Sequence, residues 1–125
     1  MEWLKGRQPA ADIFLAMIEA AFAGDVTLSM SRINYGEVIY SIRKDLPPHL
    51  KESGLKAFLE LPICFYSVDD LLVDEAAALK AVHRISYADA FAVALSLRLA
   101  LPVVTGDPEF IKLKAIGVKL HWVGV

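Results

Sequence analysis

The 125-residue chain holds a single cysteine, Cys64. No internal disulfide can form, and a lone thiol in an apolar strand-like segment suits a reducing, cytoplasmic setting. Net charge is small as well: it is formally −2, so no basic footprint marks a nucleic-acid partner. The positive side chains Lys5, Arg7, Arg32, Arg43, Lys44, Lys112 and Lys114 are scattered. The longest apolar run, 90–104, is interrupted by Ser96, Arg98 and Pro102, which leaves it too short and too broken to span a membrane. Met1 to Arg7 lacks the apolar core of a secretory signal. His49, His83 and His121 are far apart and share no ligand spacing, which argues against zinc or a histidine base. Ser86 lacks a nucleophile-elbow context, and no glycine-rich phosphate loop occurs, so covalent hydrolysis and nucleotide binding lose their usual signatures.

What is abundant is apolar surface. A 56% hydrophobic content predicts a largely buried sheet and a sticky face for a partner, and the length fits one domain over 1–125. Pro9 to Ala23 reads as a helix stopped by Gly24, Val26 to Met30 as a strand, and Ser31 to Lys44 as a helix capped by Ser31. Pro47-Pro48 breaks the chain before a helix from His49 to Leu61, and Ile63 to Val68 is rich in strand formers. Asp69 or Asp70 caps a helix from Leu71 to His83. A helix from Tyr87 to Leu99 and a strand from Leu101 to Thr105 follow. Pro108 then opens a short helix, and Val118 to Val123 is the last strand. Strands alternating with helices predict parallel pairing in a three-layer α/β sandwich.

Two carboxylates stand at element junctions. Ser86 followed three residues later by Asp89 is a helix-start pattern, which places Asp89 in the first turn, where the free N–H groups and helix dipole alone would favour it. Helical spacing puts Asp89 and Ser96 on one face with Arg98 opposite, a narrow polar stripe in which Ser96 is expected to be solvated. Asp107 leaves the carboxyl end of the Leu101 to Thr105 strand after Gly106, where ligands of parallel sheets bind; it would equally cap the Pro108 helix. Thr105 either orients a carboxylate or is simply a β-branched strand residue, and Glu109 either supports the site or is an ordinary first-turn acid. Glu37 shares a polar stripe with Asn34, Ser41 and Lys44, and the helix pattern alone reads it as solvated.

Ser86-Tyr87-Ala88-Asp89-Ala90 and Thr105-Gly106-Asp107-Pro108-Glu109-Phe110 resemble the C-terminal half of PIN-domain proteins, specifically the bacterial and archaeal VapC-like ribonuclease toxins. There a helix opens with S-x-x-D-A and a strand ends in T-G-D-x-x-F, and both stand here at the family's usual separation. The order of elements matches from about Met1 to Val123, the specific motifs cover 86–110, and Gly36-Glu37-Val38 is a weaker third match.

The resemblance implies an α/β/α sandwich and a metal-dependent endoribonuclease, the toxin of a toxin–antitoxin pair. It implies Mg²⁺ or Mn²⁺ held by Asp89, Asp107 and Glu37, with Thr105 and Glu109 behind them. The implied partners are RNA, an antitoxin and a second copy of the chain. Ala10 to Ala23 and Phe58 to Pro62 are the expected contact surfaces. Family members begin with a central strand ending in an Asp of the metal site. Here neither Glu2 nor Asp12 stands on a strand end, so the chain reads as N-terminally truncated relative to the family. Two expectations follow: a non-catalytic binding module is the rival function, and the strands at Val26 to Met30 and Leu101 to Thr105 should flank a hole in the sheet.

Overall fold

Short polar side chains set where the helices begin. Ser31 accepts from the Asn34 N–H at 3.2 Å, Asp69 from Leu72 at 2.7 Å, Ser86 from Asp89 at 3.1 Å and Asp107 from Glu109 at 2.9 Å. Each satisfies a donor that the first turn leaves unpaired. The computed structural model describes residues 16, 18–105 and 107–122. The elements are β1 (Leu28–Ser31), α1 (Arg32–Asp45), a 3₁₀ turn (Pro48–Leu50), α2 (Lys51–Leu59), β2 (Ile63–Tyr66), α3 (Asp70–Val82), α4 (Tyr87–Leu99), β3 (Val103–Thr105), a 3₁₀ helix (Pro108–Ile116) and β4 (Leu120–Trp122). Ahead of β1, residues 18–22 are helical and end at Gly24, whose φ of 82° is the left-handed stop that glycine permits. The earlier part of that expected helix, Met1 to Gly6, Gly106 and Val123 lie outside the described residues.

Proline trims the strands. Leu28 pairs with Ile63, so Thr27 would face Pro62, which has no N–H to give. For the same reason β3 begins at Val103, past Pro102. The expected helix from His49 splits into a 3₁₀ turn and α2, and the Pro108 helix is 3₁₀ throughout.

The strands form two parallel pairs, β1 with β2 and β3 with β4, and among the described residues β1 and β3 exchange no hydrogen bonds. Alternation along the strands builds three layers. Met30, Ile63 and Phe65 pack with Val38, Ile42 and Phe58 of α1 and α2, where the rings of Tyr35, Phe58 and Phe65 meet. Tyr66 packs on the opposite side, against the larger cluster of α3, α4, β3 and the 3₁₀ helix, which includes Leu72, Phe91, Val93 and Leu113. Arg98, at the end of α4, is hydrogen-bonded to both oxygens of Asp69 at the start of α3.

Ser96 corrects its expectation. It is 8% exposed, and its hydroxyl donates to the Leu101 carbonyl rather than to solvent. That bond closes the turn between α4 and β3, so the hydroxyl serves the chain reversal and leaves no solvated stripe on α4.

Candidate metal centre

Asp89 sits in the first turn of α4, half-buried. Burial pushes its carboxyl above the usual carboxylate range, the Ser86 hydroxyl opposes the rise, and the charge of Asp107 adds to it. Glu37 lies on α1, also half-buried, and is raised by burial first and by the charge of Asp89 second. The charge of Asp89 thus acts on Glu37, and that of Asp107 acts on Asp89. Glu37 is thus half-buried and within reach of the Asp89 charge, where the helix pattern alone reads it as solvated.

Asn34 accounts for that proximity. Its side-chain amide donates to the Ala88 carbonyl at 2.9 Å, and its oxygen accepts from the Ser31 hydroxyl. The start of α1 is thereby laced to the start of α4, and Glu37 and Asp89 are carried with them. In the sequence Asn34 is one member of a polar stripe, and nothing local distinguishes it. Its partner is 54 positions away.

Asp107 is exposed and caps the 3₁₀ helix, while its own N–H is held by the Thr105 hydroxyl at 3.0 Å. Thr105 is 8% exposed, so it fixes the backbone from which Asp107 projects. Glu109 is exposed and pairs with Lys112 at 3.0 Å, which commits it to the surface of the 3₁₀ helix. Phe58 departs from its expected role as contact surface: it is 2% exposed inside the aromatic cluster, whereas Leu59 beside it is 57% exposed.

Among the described residues no three His, Cys, Asp or Glu side chains close together as a ready metal cage. The donor chemistry nonetheless fits a hard cation. All three candidates offer oxygen, two are half-buried, and no ion pair to Lys or Arg neutralises any of them among the described residues. Half-buried carboxylates whose charges act on one another are disfavoured in their ionised form, and a divalent ion would relieve that.

No helix among the described residues is long and apolar enough to cross a membrane. No curated protein matches by sequence. Among solved structures, a chain in the crystal structure of VapBC2 from Rickettsia felis, bound to a DNA fragment from their promoter, is similar in fold. Its TM-score is 0.67 at 16% identity, covering 86% of this chain and 82% of that one. The sequence profile of the PIN domain matches residues 1–116. A profile match over that span places the chain in the PIN domain family.

Proposed function

We propose that this chain is a metal-dependent endoribonuclease, the toxin of a toxin–antitoxin pair, acting as one PIN-like domain in the cytoplasm. The observation that carries the reading is a half-buried Asp89 that feels the charge of Asp107 and acts on half-buried Glu37, with no cationic partner among the described residues. These three side chains would hold Mg²⁺ or Mn²⁺. Bound there, the ion would activate a water for attack on an RNA phosphodiester and neutralise charge on the leaving oxygen. The chain's own part is positional. Asn34 and Ser86 fix the helix starts, and Thr105 fixes the backbone beneath Asp107. One of the three carboxylates would also accept the proton of the attacking water.

RNA would be gathered by scattered Lys and Arg side chains across a homodimer, and the likeness to VapBC2 supports an antitoxin as the inhibitory partner. Incubating the protein with RNA and Mn²⁺ tests the reading. Cleavage should occur, stop in EDTA, and be lost in Asp89→Asn and Asp107→Asn variants that still melt cooperatively. Cleavage that persists in EDTA or in both variants overturns it.

The second reading is a non-catalytic PIN-like module that only binds its partner. The absence of a closed three-carboxylate cage among the described residues favours it. Antitoxin binding without Mn²⁺-dependent cleavage would decide for the module.

A further inference from the structure

Arg32 opens α1 directly after the Ser31 cap, and its side chain is exposed. Its guanidinium carbon lies 4.8 Å from the centre of the Tyr35 ring and 4.6 Å from that of Phe65. The two rings stand at 77° to each other, so they form a corner that the guanidinium fills. Both rings pack on Phe58, which is 2% exposed, so the core holds the corner in place. Ring faces attract the cation and restrict a long side chain, but they accept no conventional hydrogen bond from its five N–H donors. Among the described residues no carboxylate pairs with it. An ordered, exposed guanidinium of this kind is the fork that takes a phosphate by two parallel hydrogen bonds.

Its place in the fold matters as much. Phe65 pairs with Met30 near the carboxyl ends of β2 and β1, the end at which ligands of parallel sheets bind. Asn34, two residues on from Arg32, ties this turn of α1 to Ala88, the residue before Asp89. Arg32 and Glu37 are five residues apart, which is about 140° around a helix. The cation therefore stands beside the carboxylates without pointing at them, where it can serve a neighbouring phosphate and leave the acidic site its charge. Other basic residues are placed differently. Arg43 and Lys44 lie in the last turn of α1, and Lys112 is engaged by Glu109 and the Arg84 carbonyl.

We propose that Arg32 is a substrate-binding residue that grips a backbone phosphate of single-stranded RNA, next to the phosphate presented to Glu37, Asp89 and Asp107. The proposal rests on the ribonuclease reading for the identity of the ligand and adds the contact that registers the strand. A single strand is favoured because Asp89 and Glu37 are half-buried, and a flexible backbone enters a recess that a regular duplex does not.

The probe is a fluorescently labelled single-stranded RNA of about twelve nucleotides. It is titrated by anisotropy in EDTA over a series of salt concentrations, with melting curves to verify that each variant is folded. Arg32→Gln should weaken binding about tenfold. It should also reduce the slope of log affinity against log salt by about 0.7, the share of one phosphate on a single strand. Arg32→Lys keeps the charge but not the fork, so it should keep the slope and bind about threefold more weakly, a test that holds even if the glutamine variant unfolds. Arg43→Gln, at the other end of α1, should change neither quantity. The proposal is overturned by a wild type that binds no RNA, by wild-type affinity and slope in Arg32→Gln, or by an equal loss in Arg43→Gln. Equal weakening of binding to polyglutamate also overturns it, since Arg32 would then be a grip for acidic protein. If the variants behave as stated but no Mn²⁺-dependent cleavage occurs, the ribonuclease reading fails and the RNA contact stands. If cleavage occurs and Arg32→Gln binds like the wild type, the contact alone fails.

Discussion

Three carboxylates in this protein respond to pH in opposite senses. Asp89 and Glu37 are raised, chiefly by burial, so the folded state holds protons that the unfolded chain has already released. Their contribution therefore worsens as pH climbs from the ordinary carboxylate range near 4 through their raised values, and it is fully unfavourable at neutral pH. Asp69 is lowered by its bond to Arg98 and by the Leu72 amide; its support is present at neutral pH and is lost as pH falls through its depressed value. We expect Glu37→Gln to raise the neutral-pH stability slightly, by less than about 1 kcal/mol given solvent screening of a half-exposed group, read as a small rise in melting temperature. The gain should vanish when melts are repeated near pH 4. Mn²⁺ should stabilise the wild type and leave Asp89→Asn unmoved, as read from melts with and without the ion. Asn34→Ala removes the tether to Ala88, and urea unfolding should report a loss of about 1–2 kcal/mol. Weaker Mn²⁺ binding should accompany that loss, because Glu37 and Asp89 are no longer held together.

At the scale of an element, α4 carries most of the design. Its start is capped by Ser86, its middle is buried through Ala90, Phe91, Val93 and Ala94, and its end turns on Ala100. Ala100 adopts φ 55° and ψ 41°, the left-handed region that disfavours a side chain with Cβ. Ala100→Gly should therefore stabilise the protein by about 0.4–1 kcal/mol, measured as a higher denaturation midpoint. The opposite end predicts the reverse: Ser86→Ala should cost about 1 kcal/mol. Because Ser86 also sets the first turn that holds Asp89, it should lower Mn²⁺ affinity as well.

At the scale of the whole molecule, the described residues show two apolar clusters on either side of the strands. Leu72 belongs to one and Ile42 to the other, and both are fully buried. Leu72→Ala should cost about 2–5 kcal/mol and Ile42→Val about 0.5–1.5 kcal/mol. The two share no partners within their clusters, so the double variant should equal the sum within about 0.5 kcal/mol in equilibrium unfolding. A larger departure would mean that the two clusters are coupled across the strands.

What the sequence determined by itself was local. Capping serines and aspartates, left-handed glycine and proline breaks act within a few residues, so helix α4 was legible to both ends from Ser86 and the Ala-rich run. The Asp89 and Asp107 motifs were legible for the same reason: each is a side chain at a fixed offset from a cap or a strand end. Contacts across long separations were not. Asn34 and Glu37 look like members of a solvent-facing stripe until Ala88 and Asp89 are brought beside them, and Ser96 looks solvated until Leu101 folds back onto it. The division of the strands into two pairs is likewise a tertiary outcome. Hydrophobic alternation tells a strand which faces to bury, but its edge hydrogen bonds are the same for any neighbour, and the packing of α4 against both β1 and β3 joins residues far apart in the chain.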